Sequence, residues 1–208
     1  MSTRFPEKIA MKTITLIRHG QSQEQSGEVT DGMNPELSQL GIWQSKQLKQ
    51  RLQGQRFDLA LVSPLDRAFQ TFAIVEPNVE RVELDSRLIE TDYVENWYEP
   101  MVGYSPDQQL PIRNERGWLV AIKQRAKEFM GELLELDQKD IVVFGHQGII
   151  KHLIAEWLEI SVESLTHNLL LDNTSLTGFM IDQFDKRIVT YINDAQHLKN
   201  IPDRVHQT

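Results

Sequence analysis

The sequence predicts a three-layer α/β/α sandwich, with helices on both sides of a mostly parallel sheet, an antiparallel edge strand and an inserted lid. Three observations carry this. Short apolar or β-branched runs end in small or turn residues, amphipathic helical stretches alternate with them, and two strand-like segments near the C-terminus flank a polar turn.

Taken in order, residues 13–17 are β-branched or apolar and are stopped by Gly20, so they read as a buried strand. Ser38 is placed to cap a helix that carries Leu40, Leu48 and Leu52 on one face, and Gly41 and Ser45 on that helix permit close packing. Residues 59–63 form the second apolar run. Behind it "SPLDRAFQT" reads as a helix start, with Ser63 as the cap and Pro64 in the first position. Residues 95–117 hold Pro100, Gly103, Pro106 and Pro111 and few periodic apolar residues, which predicts a long loop or lid.

Leu119, Ile122, Ala126, Phe129, Leu133 and Leu136 recur at three- and four-residue steps and predict a helix lying on the sheet. Lys123, Arg125 and Lys127 are expected on its solvated face. Residues 141–145 are the third strand, followed by a helix beginning near Gly148. "SLTGFMI" and "RIVTYIN" around Asp182 to Lys186 predict the hairpin.

A length of 208 residues suits one domain spanning 1–208, with residues 1–11 as a flexible N-terminal extension. The net charge of −8, from 22 basic and 30 acidic residues, argues against broad binding to nucleic acid or an anionic membrane. With no cysteine there is neither a disulfide framework nor a thiolate nucleophile, which fits a cytoplasmic protein. "MSTRFPEKIA" has no apolar signal core, and no apolar run approaches membrane-spanning length. Neither a heptad seam nor an apolar stripe defines an oligomeric state.

The chemistry is expected beyond the carboxyl ends of the strands, where the loops of a parallel sheet converge. The first strand ends in Arg18-His19-Gly20, the second runs into Arg67, and the third ends in Gly145-His146. Two arginines and two histidines in one crevice suit a phosphoryl group. Guanidinium forks bind it bidentately, and a neutral imidazole can attack phosphorus without a metal or other cofactor. Gly20 would let substrate oxygens approach backbone N–H groups, and His146 can donate to the transferring oxygens. Glu90, in "RLIETDY", is the candidate general acid that later activates water.

Taken alone, each residue has a structural reading: an arginine at a strand end is usually solvated or ion-paired, and a lone carboxylate usually sits on the surface. His152, His167, His197 and His206 are read as packed or exposed. A metal site is disfavoured because His146 and His152 lie six apart and no H-E-x-x-H pattern occurs; P-loop and G-x-S-x-G motifs are also absent.

"LIRHGQS", "SPLDRAFQT" and "VVFGHQG", in this order, resemble the histidine phosphatase superfamily, which includes cofactor-dependent phosphoglycerate mutases; the resemblance runs from Thr13 to about Leu198. It implies a phosphohistidine on His19 and a phosphate pocket of Arg18, Arg67 and His146. Ser22, Gln147 and Asn173 are implied as further phosphate-site residues. Where many members have glycine after the glutamate and then Trp-Glu-Gly, this chain has "TDYVENWYEP" after Glu90, similar to a bacterial branch with a Glu-Phe-Thr-Tyr-like segment. The segments typical of the mutases are not visible.

The resemblance therefore implies a phosphatase acting on a small phosphorylated substrate. A mutase, or a phospho-ligand binding module, is the alternative. Trp97, Tyr98, Tyr104 and Arg113 in the lid are placed to contact the leaving group, and the aromatics there can instead anchor the lid on the core.

Overall fold

The computed structural model describes residues 11–28, 30, 34–90, 112–114 and 120–199. In chain order the elements are β1 (Lys12–Arg18), α1 (Gln23–Ser26), α2 (Gln39–Arg51), β2 (Arg56–Val62), α3 (Asp66–Val75), β3 (Asn78–Asp85) and β4 (Ile112–Arg113). They continue with α4 (Ile122–Glu135), β5 (Asp140–Gly145), α5 (Gln147–Leu158), α6 (Glu163–Thr166), β6 (Leu176–Ile181) and β7 (Arg187–Asp194).

The seven strands among the described residues form one sheet in the order β4-β3-β2-β5-β1-β6-β7. β1, β5, β2, β3 and β4 run parallel, so their carboxyl ends share one edge, while β6 and β7 add the predicted antiparallel hairpin. Alternation along β5 sorts its side chains. Ile141 and Val143 pack with Ala126, Phe129, Leu133, Ile149 and Leu153 of α4 and α5, and Val142 and Phe144 pack with Leu48, Phe69 and Val75 of α2 and α3. Helices thus cover both faces, as the sequence predicts.

Ser38 caps α2, accepting the Gly41 N–H at 3.1 Å. The close packing expected of Gly41 is also present: a Cβ there would lie 2.0 Å from the Gln21 carbonyl oxygen, so only glycine lets α2 approach the loop after β1. Lys12 at the start of β1 holds the end of α4, donating to the Leu133 and Leu134 carbonyls at 3.0 and 2.9 Å.

Three expectations are corrected and a fourth point, a strand, is added. Ser63 does not cap α3, which begins at Asp66 after an extended Leu65 with no side-chain cap. The second correction concerns α4. Lys123 and Lys127 are exposed as expected, but Arg125 is 0% exposed, because it shares the apolar stripe with Ile122 and Phe129.

The third lies within the predicted lid, where Ile112–Arg113 form an edge strand on Leu84 and Asp85. Arg113, offered as a leaving-group contact, pairs with Glu83 and Glu132 instead. Fourth, β3 went unread as a strand; its first half is largely exposed and charged, and only Glu83, Leu84 and Asp85 at its end are buried. Trp97, Tyr98, Tyr104, the rest of the predicted lid outside 112–114 and residues 1–10 lie outside the described residues.

Candidate active site

At the carboxyl edge of the sheet, three chain segments meet. Where β1 ends, the His19 N–H bonds the Gly145 carbonyl at the end of β5 (3.0 Å), and where β2 ends, the Ser63 N–H bonds the Phe144 carbonyl (2.9 Å). The ends of three strands are thereby tied together, and His19, Arg67 and His146 are carried to one place. His19 is 3% exposed, Arg67 5% and His146 0%, and the two imidazole rings stand 5.0 Å apart between centroids.

The partners of His19 fix its tautomer. Nδ1 lies 2.5 Å from the Gly20 carbonyl oxygen, an acceptor only, so Nδ1 carries the hydrogen. Nε2 receives the Nε–H of Arg67 at 3.3 Å and therefore presents a lone pair. Burial, followed by the charges of Arg67 and Arg18, holds the imidazole well below its usual pKa, so it is neutral at pH 7. A buried neutral imidazole with a bare Nε2 among guanidinium groups is a nucleophile suited to an anionic electrophile.

His146 stands at the N-terminus of α5, with Nε2 2.8 Å from Ser63 Oγ. That Oγ also accepts the Leu65 N–H at 3.4 Å, and when it gives its own hydrogen to Nε2 the ring proton stands on Nδ1. Nδ1 is buried with no hydrogen-bond partner among the described residues. Burial, then the charges of Arg67, His19, Arg18 and Arg125, keep this ring neutral too. Ser63 serves a histidine, then, where the sequence suggested a helix cap. The pairing spans 83 positions and leaves no local signature in the chain.

In front of these groups lies a cavity of about 450 Å³, lined at its base by Arg18, His19, Ser22 and Arg67 and on one wall by Glu90 and Gly148. Both Glu90 carboxyl oxygens face the Gly148 N–H, at 3.1 and 3.4 Å, in the first turn of α5. Arg18 donates from Nη1 to the Leu171 carbonyl and to Gln147 Oε1, and Gln147 also accepts the Leu171 N–H at 3.2 Å.

Ser22 lines the cavity while capping α1, its hydroxyl accepting the Gln25 N–H at 3.3 Å. Asn173 sits behind the nucleophile, outside the cavity lining, where its amide donates to the His19 carbonyl and to Gln25 Oε1, both at 3.1 Å. The Gly20 N–H is occupied by Thr71 Oγ1 at 2.9 Å and does not face the cavity as the sequence suggested. A Cβ on Gly20 would lie 2.7 Å from the Gly41 carbonyl, so packing on α2 explains this glycine.

Sequence reasoning missed the outer rim, where Lys151, His152 and Thr166 line the cavity. His152, read as packed or exposed, follows Gly148 by one helical turn and bonds its carbonyl at 2.9 Å; that i to i+4 spacing behind Gly-His was the available signal. Among the described residues no group of three or more His, Asp or Glu is arranged to hold a metal ion, and no helix is long and apolar enough to cross a membrane.

The pattern of the histidine phosphatase superfamily (branch 1) matches residues 14–194. The chain is 30% identical over 166 residues to the adenosylcobalamin/alpha-ribazole phosphatase of Escherichia coli, across 73% of this chain and 82% of that protein.

Among solved structures, the alpha-ribazole phosphatase of Shigella flexneri superposes with a TM-score of 0.68 at 26% identity, over 88% of this chain and 97% of that one. The phosphoserine phosphatase of Entamoeba histolytica, in complex with 3-phosphoglyceric acid, does so with a TM-score of 0.65 at 25% identity, over 90% and 99%. On the matched pattern, the relatives and the shared fold, the chain belongs to branch 1 of the histidine phosphatase superfamily.

Proposed function

We propose that the chain hydrolyses a small phosphomonoester in two steps, without a metal, through a phosphohistidine on His19. The observation that carries the reading is the neutral His19, its Nε2 lone pair held beside Arg67 and Arg18 in the cavity that Glu90 also lines.

In the first step the Nε2 lone pair attacks phosphorus and the phosphorus–oxygen ester bond breaks. The Glu90 carboxyl gives its proton to the leaving oxygen, which departs as an alcohol. Arg18 and Arg67 take the non-bridging oxygens, and the free Nδ1–H of His146 is the donor left for the charge that builds on them.

In the second step the Glu90 carboxylate removes a proton from water, the water oxygen attacks phosphorus, and the nitrogen–phosphorus bond breaks. Phosphate leaves and His19 is neutral again. The names of the relatives support phosphoester hydrolysis, and the 3-phosphoglyceric acid held by the Entamoeba histolytica enzyme is a molecule of the proposed size class.

The test is phosphate release from a panel of phosphomonoesters with chelator present, for the wild type beside His19→Ala and Glu90→Ala. The expected result is chelator-insensitive turnover that vanishes in His19→Ala. Normal turnover in that variant contradicts the reading, as does an isomerised phosphoester formed without free phosphate.

A further inference from the structure

Arg125 is fully buried on α4 and does not line the cavity. Its Nη1 donates to the carbonyls of Arg87 and Ile89, at 3.2 and 2.9 Å, immediately before Glu90. Its Nε and Nη2 have no hydrogen-bond partner among the described residues, although each is buried. Among the described residues the two carbonyls and the charge of Glu90 offset only part of the desolvation cost of this arginine, and burial pulls its guanidinium pKa down to about 10. An apolar side chain would fill the stripe between Ile122 and Phe129 without that cost, so packing does not explain the cation.

Its surroundings do. The segment from Asp85 to Glu90 is fastened to one face of α4 at successive turns: Arg87 pairs with Asp85 at 2.6 Å and with Glu132 at 2.8 Å, its guanidinium lies 5.2 Å over the Phe129 ring, and Arg125 holds the carbonyls on either side of Leu88. The charge of Arg125 also reaches Glu90 and His146 from behind the cavity.

We propose that Arg125 is a positioning residue for proton transfer: by gripping the backbone that ends at Glu90, it sets where the carboxyl meets the leaving oxygen. The inference rests on the reading of Glu90 as proton donor. It makes no new bond to substrate, so its signature is selective. A displaced donor handicaps a poor leaving group, which needs the proton, far more than a good one.

The experiment measures kcat/KM for phenyl phosphate and for 4-nitrophenyl phosphate in the wild type, Arg125→Met, Arg125→Lys, Glu90→Gln and the Arg125→Met/Glu90→Gln double variant. The two substrates are close in size and differ in leaving group. Their ratio, taken within one preparation, is independent of how much of a variant is folded.

The expected result is a phenyl-to-nitrophenyl ratio roughly tenfold lower in Arg125→Met, a fraction of the ~10²–10⁴ that a general acid supplies. Arg125→Lys should recover part of the ratio, since an ammonium keeps the charge and can donate to these carbonyls, but it lacks the planar, rigid guanidinium that sets where the single Nη1 meets both of them. The double variant should show the ratio of Glu90→Gln alone. An unchanged ratio in Arg125→Met, beside a lowered one in Glu90→Gln, overturns the role of Arg125 and leaves Glu90 as donor. An unchanged ratio in Glu90→Gln overturns the donor assignment and this inference with it.

Discussion

The Nε–H of Arg67 points at Nε2 of His19 across 3.3 Å, so in the resting site the nucleophile's lone pair is shared with the guanidinium that would hold the phosphate. An incoming phosphoryl group supplies better acceptors for Arg67 and frees Nε2 in the same movement. Beside burial, the pairing also keeps His19 uncharged, since of the two cations that oppose its protonation Arg67 has the larger effect.

Removing Arg67 separates these effects through pH. His19 attacks only when neutral, so kcat/KM falls on the acid side as pH drops through the His19 pKa, which lies well below the usual 6.5. In Arg67→Gln burial still lowers that pKa but the larger cationic contribution is gone, so the pKa rises and the acid limb moves to higher pH. The rate at the optimum should also fall by about 10²–10³, the range for loss of one preorganised donor. A pH profile of kcat/KM checks both; an acid limb that stays in place contradicts the electrostatic account of His19.

Ser63→Ala should impair the site while sparing the fold. The hydroxyl is the partner of His146 Nε2, and without it the ring loses the contact that holds the proton on Nδ1. A misaligned donor that costs about 1.4 kcal/mol in the transition state reads as about tenfold in kcat. Steady-state kinetics and a thermal unfolding curve decide the point: the account expects kcat to drop with KM nearly constant, and a kcat equal to wild type argues against it.

Gly41→Ala sets helix propensity against packing. In an exposed helix the change would stabilise by up to ~1 kcal/mol. Here the new Cβ would sit 2.0 Å from the Gln21 carbonyl oxygen, backbone of the loop that follows His19. Overpacking of this kind costs about 1–3 kcal/mol, so packing wins and the variant is less stable than wild type. Denaturant unfolding measures the sign, and a stabilised variant would show that the loop after β1 yields freely.

The order of layers, the three central strands, the hairpin and the Ser38 cap were legible because each depends on local pattern: β-branched runs, three-and-four spacing, a side-chain oxygen before a helix. The placement of His19, Arg67 and His146 was legible because parallel strands bring their carboxyl ends to one edge whatever lies between them. What escaped reading depends on distant pairing. Ser63 has a good cap sequence around it, and nothing nearby says that its hydroxyl meets a histidine at the end of another strand.

Gly20 was read as facing a ligand, whereas its neighbour is a second glycine on α2. Arg125 was legible in part. Its spacing places it on the apolar stripe with Ile122 and Phe129, but two flanking lysines suggested a solvated face. The carbonyls of Arg87 and Ile89 that make burial tolerable lie on a separate segment.

A covalent phosphoryl group on His19 is what separates this mechanism from direct attack by water, and rapid acid-free quenching of enzyme mixed with a turned-over phosphomonoester, followed by peptide mass mapping, detects it. The expected result is an acid-labile, base-stable phosphoryl group on the peptide carrying His19, formed as fast as the alcohol is released and absent in His19→Ala. Turnover at the wild-type rate with no phosphoryl group on that peptide at any quench time would contradict it.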